Sequence, residues 1–246
     1  MRHSKQDFLD YAKVYNKNFR SYMLQVYNYM TVAFILTGGV SLLTLFSETA
    51  MSLLYIIHNG QIIGLSNFGL LISFAPIVVV LVFGFRLARI SINTAQILYW
   101  TYAILFGLSI SSIFLAYLGE SIAGIFFIAA FIFASMSFYG VITKRDLTSI
   151  GSFLIMGLIG LSAVSMANLF LGGLGASFAI SVISVLVFTG LTAFDSQRLK
   201  DVFNLYIAGN NKMLKKVGII GALTLYMDFI NIFIHLLQLL GTRRDK

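Results

Sequence analysis

Two acidic side chains carry the chemistry that this sequence can offer. Asp195 and Asp228 lie in or at the edge of long apolar runs, away from the ends that hold the chain's other embedded acids. An aspartate at a bilayer centre costs roughly 2.5–3.5 kcal/mol on insertion scales, so a chain that carries one is expected to use it. Two carboxylates in one site cannot readily both ionise; they share a proton and titrate in coupled steps. That is the chemistry of a proton switch near physiological pH. Once both are ionised, the same oxygens suit a hard cation such as Ca²⁺.

Asp228 belongs to the apolar run 217–240 together with Thr224, Asn231, His235 and Gln238. The steps from Thr224 onward are 4, 3, 4 and 3, which puts all five on one stripe of an α-helix, with Gly221 one turn earlier. The opposite face is Leu, Ile, Phe and Met. A polar seam on a membrane helix must face a bundle interior or water. Asp195 closes a second such face, made of Ser177, Ser181, Ser184 and Thr192 and interrupted by Phe188. The two acids differ in apparent depth. They meet only if the sixth helix continues past Phe194 or the seventh begins below the hydrocarbon. Other readings stand beside this one. Asp195, next to Arg198 and Lys200, also reads as a loop carboxylate at the cytoplasmic surface. Arg86 or Arg89 can serve either acid as a structural partner. Asn231 and His235 also fit plain packing and hydrogen bonding.

The elements around these residues are membrane spans. The chain has 246 residues, 59% hydrophobic and 11% charged, where a soluble domain carries about 25% charged residues. Cut at its polar breaks, it yields apolar runs at 26–46, 68–85, 95–117, 122–142, 150–170, 176–194 and 217–240. Each approaches the ~20 residues that cross a bilayer. The expected fold is all-α: residues 1–22 as a cytoplasmic amphipathic segment, 23–241 as a seven-helix transmembrane bundle, and 242–246 as a basic tail.

The net charge of +8 is distributed by loop and does not signal nucleic acid. Arg2, Lys5, Lys13, Lys17 and Arg20 precede the first span, Arg86 and Arg89 follow the second, and Lys144 and Arg145 follow the fourth. Arg198, Lys200, Lys212, Lys215 and Lys216 separate the last two spans, and the loops after spans one, three and five hold no Lys or Arg. This alternation places the N-terminus in the cytoplasm. Arg243, Arg244 and Lys246 conflict with an outer C-terminus, so a last helix that enters without crossing is the alternative. The absence of cysteine excludes disulfides and Cys-based zinc sites. The polar start, about 22 residues long, is too long to precede the h-region of a cleavable signal. Short loops, no cysteine and no targeting segment suggest a bacterial inner membrane.

Several local features add expectations. Aromatics at near-helical spacing in 7–23, between basic residues, predict an amphipathic helix on the cytoplasmic face, a disordered basic tail being the alternative. Gly38-Gly39 invites a close helix approach. Asn59-Gly60 between two short apolar runs predicts a hairpin over the outer mouth, with His58 as a surface residue. Pro76 should kink its helix unless neighbours satisfy the freed carbonyl. The hydroxyls of Thr101, Ser109, Ser111, Ser112, Ser135 and Ser137 are assigned structural hydrogen bonds only. Glu48 and Glu120 fall at outer helix ends and are expected to be solvated. Gly172-Gly173 and Gly175 predict a tight turn.

Two segments resemble a known family. Thr192-Ala193-Phe194-Asp195-Ser196-Gln197 and Leu225-Tyr226-Met227-Asp228-Phe229-Ile230-Asn231-Ile232-Phe233 are similar to the signature segments of the Bax-inhibitor (transmembrane Bax inhibitor motif) family, and the likeness covers the whole seven-span layout. The basic loop between the last two spans looks longer than in compact bacterial members. The resemblance implies a bundle with the last helix at its centre. It also implies a pH-sensitive Ca²⁺ leak with no cofactor, Ca²⁺ being the permeant ion. The Asp pair would be Asp195 and Asp228, which share a proton and bind Ca²⁺ transiently. A latch would join one of them to Arg86 or Arg89, between which spacing does not choose. Thr192, Thr224, Asn231, His235 and Gln238 would line the route.

The partners expected are lipid, Ca²⁺ and protons. The alternative function is binding and regulating other membrane proteins, such as membrane proteases, through the N-terminal segment. Paired aspartates on consecutive helices also occur in intramembrane aspartyl proteases. This chain lacks the Gly-x-Gly-Asp and Pro-Ala-Leu segments of those enzymes, so no enzymatic activity is expected.

Overall fold

The computed structural model describes residues 2–58, 61–86, 90–171, 174–206 and 211–244; side chains at 2–12, 61, 84–86, 169–171, 174–175 and 211 lie outside that description. In chain order the described residues form α1 (Arg2–Phe46), α2 (Glu48–Leu54), β1 (Tyr55–His58), β2 (Gln61–Leu65), α3 (Asn67–Arg86), α4 (Ile92–Ala116), α5 (Gly119–Ile142), α6 (Thr148–Leu171), α7 (Leu174–Tyr206) and α8 (Asn211–Leu240). This is an all-α polytopic architecture. Among the described residues, six helices, α1 and α4 to α8, are long and apolar enough to cross a membrane, whereas the apolar stretch of α3, Asn67–Phe83, is shorter. Polarity is turned inside out. Phe127, Phe131, Phe153 and Met156 are exposed, while Thr37, Ser41, Ser111, Ser184, Thr192, Ser196 and Asp228 are buried. That arrangement suits a lipid exterior.

α8 packs on α1, α4, α5 and α7, and successive residues of its motif reach different neighbours because each step turns ~100°. Tyr226 OH donates to Thr37 Oγ1 (2.7 Å), and Thr37 donates its own hydroxyl to Ala103 O (3.0 Å), tying α8 to α1 and α4. Phe229 enters an aromatic cluster with Phe34, Phe126 and Phe133 from α1 and α5. After α8, Leu118 N–H donates to Thr242 O and Arg244 N–H to Ala116 O, both at 3.0 Å. The tail therefore lies at the α4–α5 connection.

The aromatic segment 7–23 runs without a break into the first span as part of α1. Tyr15, Phe19 and Tyr22 gather around Phe203 of α7, with ring centroids 5.2–5.6 Å apart, so this aromatic face is held by protein. Beyond α1, Leu53 and Leu54 belong to α2, whose N-cap Ser47 Oγ accepts the Ala50 N–H (3.3 Å). The ribbon follows: β1 and β2 are antiparallel, from Tyr55↔Leu65 to His58↔Gln61. Its turn, Asn59-Gly60, lies outside the described residues, as does Gly172-Gly173. Tyr55 OH meets Ser111 Oγ at 2.7 Å, pinning the ribbon to α4.

Close approach occurs elsewhere than expected. A Cβ on Gly38 or Gly39 would meet nothing within 4 Å, whereas one on Gly107 would come 2.7 Å from Thr37 O. The α1–α4 contact is thus made by a glycine of α4. Pro76 sits inside an unbroken α3. Its missing N–H frees Ile72 O, four residues earlier, and Ser109 Oγ of α4 reaches that carbonyl at 3.0 Å, sharing its one proton with Leu105 O (2.9 Å). Ser109→Ala should leave the carbonyl orphaned at a cost of ~1–3 kcal/mol. The check is a lower thermal unfolding midpoint in detergent, with Ser109→Thr near wild type.

Candidate functional site

The segment around Asp195 is fixed on almost every side. The first condition for the acids to meet is fulfilled: α7 continues past Phe194 to Tyr206; α8 begins at Asn211, ahead of its apolar run. A Cβ built on Gly140 of α5 would overlap the carbonyl of Ala193, and one on Gly151 of α6 would overlap the ring of Phe194. Ser196 Oγ lies 2.7 Å from Ser137 Oγ, which lies 2.7 Å from Tyr27 OH, a hydroxyl chain through α7, α5 and α1. Gln197 accepts from Leu147 N–H (2.8 Å) and donates to Arg145 O (2.7 Å), clamping the α5–α6 connection. Lys200 Nζ donates to Val141 O (2.9 Å), a cation on the carbonyl end of α5. Lys200 is thereby committed elsewhere, and Asp195 faces α8 together with Leu199, which packs on Gly221.

There it meets Asp228. The two carboxyl groups lie close enough to act on each other directly. Asp228 is 4% exposed, and its Oδ2 has no hydrogen-bond partner among the described residues. An ionised carboxylate only accepts hydrogen bonds. A contact between two of them therefore calls for a proton on one. Asp195 is half-buried, and exposed Arg198, one turn further along α7, acts on it electrostatically. Sequence reasoning counted Arg198 only as a mark of the surface. Its i+3 spacing from Asp195 was the available signal for a partner. A cavity of about 130 Å³ opens beside the pair, lined by Asp195, Arg198, Val217, Gly221 and Thr224 among others.

The other residues singled out in the sequence are distributed along the α7–α8 contact. Thr224 lines the cavity at the pair and donates to Ile220 O (3.2 Å). Thr192 donates to Phe188 O (2.8 Å) and Asn231 to Met227 O (2.8 Å), so both bond back to their own helices. His235 and Gln238 line a separate cavity of about 480 Å³ near the α4–α5 end of the bundle. The Phe188 ring, which interrupts the polar face of α7, stacks on His235 with centroids 6.4 Å apart and planes at 18°. It stands along α7 between that cavity and the acid pair. Arg86 is the last residue of α3; its side chain and Arg89 lie outside the described residues. Among the described residues no three His, Asp or Glu side chains gather as a metal centre. Two carboxylates carry at most four of the 6–8 oxygens that Ca²⁺ takes.

Comparison with known proteins places the chain. The family described as "Inhibitor of apoptosis-promoting Bax1" matches residues 19–245. An uncharacterized protein of Rickettsia prowazekii (strain Madrid E) is 46% identical over 233 residues, covering 95% of this chain and 94% of the relative. The protein of Escherichia coli (strain K12) called "Inner membrane protein YbhL" is 40% identical over 225 residues, covering 92% and 93%. An uncharacterized protein of Caulobacter vibrioides is 39% identical over 227 residues, covering 92% and 90%.

Proposed function

Since this chain belongs to the Bax inhibitor-1 family, we propose that it is an integral protein of a bacterial inner membrane that lets Ca²⁺ leak passively, gated by the proton that Asp195 and Asp228 share. The closeness of these carboxyls, half-buried Asp195 from α7 and buried Asp228 from α8, carries the reading. With the proton in place, the hydrogen bond ties the two helices together. Without it, two like charges face each other in a site of low dielectric, and separation or a divalent cation relieves them.

The bundle is taken as seven spans around a central α8, α3 being the seventh: its 20 residues reach ~30 Å as a helix. The positive-inside pattern puts the N-terminus in the cytoplasm and the C-terminal tail outside. Thr192, Thr224, Asn231, His235 and Gln238 follow the route along α7–α8. Arg86 or Arg89, at the end of α3, is the partner that would latch the freed carboxylate, with Arg198 already beside it. α3 packs chiefly on α4, which suits an element that shifts relative to the α7–α8 pair.

The test is Ca²⁺ flux in proteoliposomes across a pH series. Wild type should show a pH-dependent flux. The double variant Asp195→Asn, Asp228→Asn should lose that dependence. A double variant with unchanged flux and unchanged pH response sinks the proposal.

A further inference from the structure

We propose that the larger cavity, at the α4–α5 end of the bundle, is a binding site for an oxyanion, specifically a phosphate group. The site shares His235 and Gln238 with the route proposed above but lies apart from the acid pair, and its test reads stability rather than flux.

The cavity measures about 480 Å³ and is lined by Asn168, Ser177, Ser181, His235, Gln238 and Arg243, with no Asp or Glu among its lining residues. Small-molecule sites run ~300–1,000 Å³. Arg243 supplies the charge. Its backbone bridges to Tyr117, and its guanidinium carbon lies 5.9 Å above the centre of that ring. The cation is thus held in place while its N–H fork stays available, and it forms no ion pair among the described residues. A planar fork of this kind matches phosphate geometry in a way that an ammonium does not.

The neighbouring groups are set as donors too. Gln238 Oε1 lies 2.8 Å from Ser181 Oγ, whose one proton is shared with Ser177 O (3.0 Å), and accepts from His235 Nδ1–H (3.1 Å), which turns the amide N–H₂ of Gln238 toward a ligand. The stacking of His235 on Phe188 fixes the ring that makes this bond. Asn168 Nδ2 donates to Ser177 Oγ at 2.9 Å, joining α6 to the first turn of α7, where the positive end of that helix adds to the field. Gln238 stands two residues before the end of α8, ~3 Å along the axis. At that depth the source is either free inorganic phosphate or the phosphate of a phospholipid headgroup.

The experiment uses the full chain. In detergent, the thermal unfolding midpoint is followed against inorganic phosphate, with sodium chloride at matched ionic strength as control. In nanodiscs, it is compared between phosphatidylglycerol and phosphatidylcholine. Wild type should rise with phosphate or with phosphatidylglycerol, and the arm that responds identifies the source. In that arm Arg243→Gln and Gln238→Leu should each weaken the apparent affinity about tenfold, a loss of roughly 1.4 kcal/mol, and Arg243→Lys should restore part of it. Exposed Arg243 and Gln238 tolerate these changes without unfolding. If wild type and Arg243→Gln respond alike in every arm, or if chloride matches phosphate in wild type, the site does not exist.

Discussion

Gly140→Val should cost ~3 kcal/mol, the upper end of the range for overpacking a buried contact. It should also take the acid pair out of register. A side chain at this position has nowhere to go: its first carbon would overlap the carbonyl of Ala193 and come within 3.0 Å of that residue's Cα. Backbone rather than a flexible side-chain tip is in the way, so α5 and α7 must separate. That separation breaks the Ser196–Ser137–Tyr27 chain (2.7 Å per link) and moves Asp195, two residues from Ala193. The same substitution at Gly124 of α5, or at Gly160 of α6, meets nothing within 4 Å and should be close to neutral. The comparison is a set of thermal unfolding midpoints for the three variants in one detergent, with the pH response of Ca²⁺ flux measured in parallel. Equal losses at Gly140 and Gly124 would show that helix propensity, not helix approach, sets the cost.

Periodicity explains why so much of this contact was legible beforehand. The 4-3-4-3 spacing from Thr224 to Gln238 marks one face of α8, and the members of that face with tertiary contacts, Asp228, His235 and Gln238, do meet α7. Hydropathy located the spans but stopped where charge begins. It ended the sixth run at Phe194 although α7 continues to Tyr206, because helical hydrogen bonds and the packing of Leu199 and Phe203 persist beyond the apolar stretch. Glycines were misread for a related reason. Composition marks where close approach is allowed, but the side facing protein is decided in three dimensions, so Gly107 and Gly140 touch backbone and Gly38-Gly39 do not. Ser109 was assigned no more than a generic structural bond, yet it completes the hydrogen bonding that Pro76 leaves open. Only pairing two helices reveals that. Their place in apolar runs picked out Asp195 and Asp228, and the family resemblance paired them. It said nothing of Gln197 holding the α5–α6 connection or of Tyr226 holding Thr37.

Asp228→Asn should fix the pair in its bonded state and remove the pH response of flux by itself. The asparagine amide is nearly the size of the carboxyl it replaces, and its N–H₂ gives Asp195 a permanent donor where the native pair depends on a proton. With the hydrogen bond always made, α7 and α8 stay tied, and flux should sit at its low limit at every pH. Asp228→Leu preserves volume without a donor, leaving the Asp195 carboxylate with Arg198 alone; its flux should also be insensitive to pH but not held at the low limit. The two variants therefore separate tethering by the hydrogen bond from the mere loss of an acid. Ca²⁺ provides a second readout. A cation that binds the ionised pair must displace the shared proton, so in wild type its apparent affinity should tighten as pH rises, by up to about tenfold per unit for one proton released. In Asp228→Asn that slope should vanish. A variant that keeps both a pH-dependent flux and the slope would show that the proton deciding the state resides elsewhere in the bundle.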